Sequence, residues 1–510
     1  MIRNLTYPTL FAALATLTVF LIVAVLRNGG VFEYPLDDVY IHLAMAEQIA
    51  SGGYGVNAGE YASAASSPLY PFLLVPFAGT ELQRWLPLAW NIVFLLVAAV
   101  LFAKILAEAR LGWAALPFAI AAPFALSMYV TAYSGMENMA HGAASLAIVL
   151  GLWRYVETGH VRWLLIFGVL FATAFRLEGV ALGFLAGAIV MRLGRVPAGL
   201  GLILIAAAPV VGFMAYLMSK GLNPLPSSIL VKLGDQPGGL AANLQANAVT
   251  YGGRYLLGLS VMLAIISFSY WTRDRRRAFF GIGIAAAGFV HLAFGSTGWL
   301  DRYENYAVLA VVAALALMVS DLGRFVKQGV MAIALIGGVA TYSPYIPNNL
   351  ANMRAVHLQH AQMARFAHQH VNGSVAINDL GYIAWTNPNY VLDWWGLGSA
   401  TALKHRKSGD CDTWQSDMAD ARDVRVAMIY DHWFDCDLRD QGWVRLGGLW
   451  VDDAAGAFLG GPEVSFYTRT SSEAASLQTE LTQWASSLPK GARWEAADEA
   501  IRPARLSSRQ

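Results

Sequence analysis

Eleven apolar runs, separated by short polar connections, fill the chain up to about residue 346. They fall near 9–26, 86–106, 113–130, 139–156, 163–175, 179–193, 198–218, 251–271, 278–295, 303–320 and 329–346. A helix crosses a bilayer core with roughly 20 apolar residues, 17 to 25 being usual. The pattern therefore predicts a polytopic helical membrane protein with about eleven spans, over 1–347. Runs 163–175 and 179–193 are short, and read either as two spans joined by a tight turn or as one broken helix. The segment Pro68–Ala78 is apolar but short and rich in proline, and reads as re-entrant or interfacial. The first run carries only Arg3 before it and no small-residue cleavage site after it, so it reads as a retained span rather than a secretory signal.

Between the first two runs lies PLDDVYIHLAMAEQIASGGYGVNAGEYASAASSPLYP, Pro35 to Pro71. Ile41, Met45 and Ile49 recur at four-residue spacing, which predicts a helix with one apolar face, ended by Gly52 and Gly53. This helix is expected to lie along a membrane surface, with Asp37 and Asp38 at its leading end. One aspartate can cap the helix by accepting from the free amides of its first turn; the second is left for chemistry.

After Tyr345 the pattern changes. Ala351–Val371 reads as a helix; Ser374–Ile377, Tyr390–Leu392, Val424–Ile429 and Val464–Tyr467 read as strands; Ser472–Leu488 reads as a closing helix. Residues 348–510 thus form a small α/β domain.

Composition agrees with this division. The chain is 56% hydrophobic and only 14% charged, which a soluble protein of 510 residues would not be. Its net charge of +1 gives no case for nucleic-acid binding. Charge also orients the spans. Lys104, Arg110, Arg154, Arg162, Arg192, Arg195, the run TRDRRR around Arg275, Arg324 and Lys327 fall on one set of connections, and few cations on the other. The positive-inside rule puts the N-terminus in the cytoplasm and, with an odd number of spans, the α/β domain outside the inner membrane. Both cysteines, Cys411 and Cys436, fall in that exported domain, which predicts a disulfide.

Walker, G-x-G-x-x-G and HExxH motifs are missing from the sequence. The polar residues that remain collect on the outer connections: Asp37 and Asp38; Glu137 in YSGMENMAHG; Arg176 and Glu178 in FRLEG; Lys232 in NPLPSSILVKLG; Asp301, Arg302, Tyr303 and Glu304 in LDRYENY. Ionisable groups at membrane depth are costly and mark function. Carboxylates facing cations beside an apolar slot suit transfer from an anionic, lipid-linked donor: an acid takes the acceptor's proton, and cations stabilise the departing phosphate.

DDVYIHLAMAEQIASGGYGVN with SSPLYPFLL resembles the first outer loop of GT-C superfamily membrane glycosyltransferases, in particular the bacterial arabinofuranosyltransferase-like and dolichyl-phosphate-mannose-transferase-like branch. SGMEN is similar to that branch's SGLET; FRLEG to its RPEG, with Leu177 for proline; NPLPSSILVKLG to its PLPNTFYAK stretch; DRYENY to its RY element. VAINDLGYIAW and VLDWWGL resemble its exported-domain pattern. The resemblance spans about 35–400. It implies a polyprenyl-phosphate sugar donor and inverting transfer to a hydroxyl of a glycan or lipid at the outer face. It assigns the catalytic acids to Asp37 or Asp38 and to Glu137. Arg176, Lys232 and Arg302 are the candidates for the donor phosphate, with Glu178, Tyr303 and His42 in support. A divalent metal is left open, held if present by Asp37, Asp38 and Glu137. The alternative reading is a transporter or flippase, in which the same charges line a pathway.

Overall fold

A computed structural model describes residues 4–234, 239–409, 413–452 and 457–497. The chain is mostly helical, with a small sheet towards its C-terminal end. Seven helices are long and apolar enough to cross a membrane: Thr6–Arg27, Gln83–Glu108, Asn138–Thr158, Val196–Ser219, Tyr251–Ser269, Arg275–Phe294 and the run that begins at Arg324. Four shorter apolar helices, Gly112–Ala125, Trp163–Phe175, Gly179–Arg192 and Asn305–Met318, occupy the other predicted runs. Trp163–Phe175 and Gly179–Arg192 are separate helices folded back on one another. A Cβ on Gly183 would touch Val169, and one on Gly179 would strike the backbone of Ala172.

Two helices form the axis of the bundle. Asn138–Thr158 is buried almost throughout, and every residue of Asn305–Met318 is buried. Helices buried in this way have no outward face. They pack closely: a Cβ on Gly142 would come within 3.0 Å of Leu309. The peripheral helices instead leave large apolar side chains uncovered, among them Phe11, Leu204, Ile265 and Ile336.

The C-terminal part is a six-stranded sheet. Its strands are β1 Ser374–Ile377, β2 Val391–Asp393, β3 Val424–Ile429, β4 Val444–Val451, β5 Glu463–Thr468 and β6 Ala492–Ala496, in spatial order β2-β1-β3-β5-β4-β6. β2, β1 and β3 run parallel, and β5, β4 and β6 pair antiparallel. Alternation places Val375, Ile377, Val426 and Met428 on the face continuous with the bundle's core, and Ala376, Ala427 and Ile429 on the opposite face with Trp394, Trp414 and Trp443.

Three expectations change. The helix Asp38–Ala50 does not lie on a surface: Val39 to Ala46 are all buried, and Tyr40 stacks on Tyr382 of the α/β part at 3.9 Å. It is clamped between the two parts of the molecule. The predicted helix Ala351–Val371 is two helices, Ile346–Leu358 and His360–Gln369, broken at Gln359. Strands β4 and β6 were not legible. In β4 the pair Gly447–Gly448 interrupts the apolar pattern, and Gly447 sits at a register shift, at φ 156°, where a Cβ would strike the Trp494 ring. Cys436 is disulfide-bonded; Cys411 lies outside the described residues.

Candidate functional site

The carboxyl ends of β1, β2 and β3 face the bundle, and the conspicuous polar residues meet there. A cavity of about 190 Å³ is lined by Asp38, His42, Ser66, Arg176, Arg302 and Tyr303, with Trp299 and Trp395 among its apolar walls. A second, of about 140 Å³, shares Ser66, Arg176 and Tyr303 with it and adds Glu178 and His291.

Helix ends build this site. Asp37, Glu137, Glu178 and Glu304 each stand at the N-cap of a helix, and none uses its side chain to cap that helix. The partial positive charge of a helix N-terminus favours carboxylates there, and the side chains are released for other partners. Arg176 breaks the chain between two apolar helices and is held from both sides. Its Nη1 donates to Glu137 Oε1 at 2.7 Å and its Nη2 to Glu178 Oε1 at 2.8 Å. Glu137 is fully buried behind this arginine, accepts from Ser66 Oγ at 3.1 Å, and lies 3.6 Å from His42 Nε2. Burial pushes the His42 imidazole below its usual range, so it is neutral at pH 7.

Arg302 is aimed by an unusual turn. Gly298, Trp299, Leu300 and Asp301 have φ of 86°, 53°, 61° and 54°, a full turn of left-handed backbone. That conformation costs about 1–2 kcal/mol per non-glycine residue, and the surroundings hold it in place. Glu304 accepts from the Gly298 amide at 2.7 Å. Asp301 accepts from Ser127 Oγ at 3.0 Å and from Asn349 Nδ2 at 3.4 Å. Burial raises the Asp301 carboxyl to about 7. The strained turn delivers Arg302, 2% exposed, to the cavity wall. Its Nη2 donates to Asp38 Oδ2 at 2.6 Å and to Tyr303 OH at 3.2 Å, while Nε and Nη1 are buried with no partner among the described residues. The guanidinium carbons of Arg176 and Arg302 lie 5.7 and 5.0 Å from the centre of the Tyr303 ring.

The structure separates the two adjacent aspartates. Asp38 faces the cavity. Asp37 is buried on the other side, where its carboxylate accepts from the amides of Gly381, at 2.5 Å, and Tyr382, at 2.7 Å, both following β1. Asp37, Asp38 and Glu137 do not come together as a ligand set. Among the described residues, the acids and histidines whose donor atoms lie mutually within 4.8 Å are Asp37, His360 and Asp379. Lys232 lies on the helix Ser227–Gly234, whose Ser228 lines both cavities; its own side chain is outside the described residues.

Ser66, Trp299 and Trp395 were missed as site residues. Trp395 reaches the cavity from the turn after β2, which Asp393 holds by accepting from the amides of Trp395, Gly396 and Gly398. The turn's D-W-W-G-L-G sequence, an acid followed by glycines and aromatics, was the available signal.

A family model described as a domain of unknown function (DUF8728) matches residues 349–467. The match covers the linking helices, β1 to β3 and most of the antiparallel strands, and includes His360, Asp379 and Trp395. No curated protein matches the chain.

Proposed function

We propose that this protein is an inverting membrane glycosyltransferase that uses a polyprenyl-phosphate sugar. Its eleven apolar helices span the inner membrane, and its α/β domain stands outside over the site. The observation that carries this reading is Arg302. A buried guanidinium with two unpaired nitrogens on a cavity wall is costly unless an anion completes it. A phosphate suits it, because arginine binds phosphate through parallel hydrogen bonds. Arg176 adds a second cation, and Tyr303 lies near both guanidinium groups.

In the proposed reaction the acceptor hydroxyl oxygen attacks the anomeric carbon, and Asp38 takes the hydroxyl proton. The bond from anomeric carbon to phosphate oxygen breaks, and polyprenyl phosphate leaves with the electron pair. Charge grows on the departing phosphate as the bond breaks, so cations fixed beside it stabilise the transition state more than the ground state. Glu137 acts through Arg176, which it holds in place. The sugar moved and the acceptor, a cell-envelope glycan or lipid, follow from the resemblance of the loop motifs only as classes.

The test is transfer by purified protein in nanodiscs from a polyprenyl-phosphate sugar, with donor concentration varied. Arg302→Lys keeps the charge but loses the planar fork. It should slow transfer at least tenfold and weaken donor dependence, with the acceptor dependence unchanged. Equal donor dependence in wild type and Arg302→Lys would remove the phosphate from this wall.

A further inference from the structure

Asp37 belongs to the bundle part of the chain, while His360 and Asp379 belong to the linking helix and the α/β part. His360 Nε2 lies 2.8 Å from Asp379 Oδ2, and one donor atom from each of Asp37, His360 and Asp379 lies within 4.8 Å of the other two. We propose that these three side chains form a divalent transition-metal site that joins the α/β domain to the bundle.

Three observations support it. The first is charge. Asp37 and His360 are almost wholly buried, and Asp379 is mostly so. Two carboxylates here face one imidazole, and no lysine or arginine among the described residues pairs with either acid. A proton on the imidazole leaves one negative charge uncompensated; a divalent cation on a neutral imidazole leaves none. Buried charges are either paired or bound to metal.

The second is preorganisation. Asp37 is held by two backbone amides, one to each carboxylate oxygen, so its remaining lone pairs are fixed in direction. Gly381 makes this approach possible, since a Cβ there would collide with the Asp37 backbone oxygen and carboxylate. Tyr430 OH, oriented by Gln359 Oε1 at 2.6 Å, lies 3.5 Å from His360 Nε2 and borders the same space.

The third is position. In the order β2-β1-β3 the chain passes from β1 to β2 on one side and then crosses to β3 on the other side of β1, so the winding reverses beside β1. Asp379 follows β1, and Tyr430 follows β3. The crevice outside the carboxyl ends of such strands is where open α/β sheets bind ligands, and here Asp37 enters it from the bundle. One nitrogen and two carboxylates suit Mn²⁺ or Zn²⁺. Metal–ligand bonds of about 2.0–2.2 Å set neighbouring ligand atoms roughly 3–3.4 Å apart, so the Asp37 oxygen would close in while the His360–Asp379 pair opens slightly. Asp379, about one-fifth exposed, offers the access route.

The test uses full-length protein in detergent, stripped with chelator and titrated with Mn²⁺, read by paramagnetic resonance and by thermal unfolding. One ion per chain and a raised unfolding midpoint are expected, with occupancy competed away by Zn²⁺. Asp379→Asn, isosteric and partly exposed, and His360→Gln should each weaken Mn²⁺ binding at least tenfold. Wild type and Asp379→Asn that bind Mn²⁺ alike, or a wild type that neither binds nor gains stability, would overturn the site and leave a proton-bridged cluster.

Discussion

Asp37 and Asp38 are neighbours in sequence with opposite surroundings. Asp38 is half-exposed to the cavity and bonded to Arg302; Asp37 is buried against the β1 turn. The two Asn variants should therefore differ in kind. Asp38→Asn should lower transfer by about 10²–10⁴-fold, the usual contribution of a general base, while its amide oxygen can still accept from Arg302, so that folded protein is retained. Asp37→Asn puts an amide nitrogen where a backbone amide must be accepted. It should cost about 1–3 kcal/mol of stability, the range for an unsatisfied buried partner, measured by thermal unfolding in detergent. Equal transfer by Asp38→Asn and wild type would move the base elsewhere.

Asp301 makes a pH prediction at the same scale. Its carboxyl is raised from 3.8 to about 7 by burial, and Ser127 and Asn349 only partly offset that. The folded protein therefore holds a proton that the unfolded chain has released across that window. Its stabilising contribution is complete below pH 3.8 and is lost as pH rises towards 7. The slope from this one group is at most about 1.4 kcal/mol per pH unit. Asp301→Asn keeps the shape without the titration, so it should flatten the fall in unfolding midpoint between about pH 5 and pH 7. A slope identical to wild type would show that other groups carry it.

At the scale of elements, the helix Asp38–Ala50 and the β1 turn act as one joint. Tyr40 stacks on Tyr382, and Gly381 allows the backbones to meet. Gly381→Ala should destabilise the protein by about 1–3 kcal/mol, as overpacking a tight contact does, and lower the unfolding midpoint. A midpoint equal to wild type would show that the joint opens without cost. The left-handed turn 298–301 is the second such element. Its strain is held by Glu304 and Asp301 on one side and by Asn349 on the other. The direction of Arg302 thus depends on contacts from two distant stretches of chain, at Ser127 and Asn349.

At the scale of the molecule, the sided distribution of arginines and the disulfide at Cys436 predict that the α/β part lies outside the cytoplasm. A phosphatase fused after Gln510 should be active and a fluorescent protein at the same point dark. The reverse result would place the cavity on the cytoplasmic side and exclude the proposed donor geometry.

The eleven apolar runs and four of the six strands were legible because burial in a helix or strand imposes a period on the chain itself. The same holds for the candidate residues: charges rare enough to stand out in an apolar sequence did converge, and Asp38, Arg176, Arg302, Tyr303 and His42 share one cavity wall. Which way each side chain turns is a different kind of fact. Asp37 and Asp38 are alike to any reading of one dimension, and only the approach of Gly381, 344 positions away, separates them. Trp395 and Asp379 enter because parallel strands bring their carboxyl ends together at the bundle, a consequence of sheet order that local pattern does not contain. Sequence determines which groups cannot be left unpaired in an apolar interior; the tertiary structure decides which partner each one finds, because partners are chosen by distance in space and not along the chain.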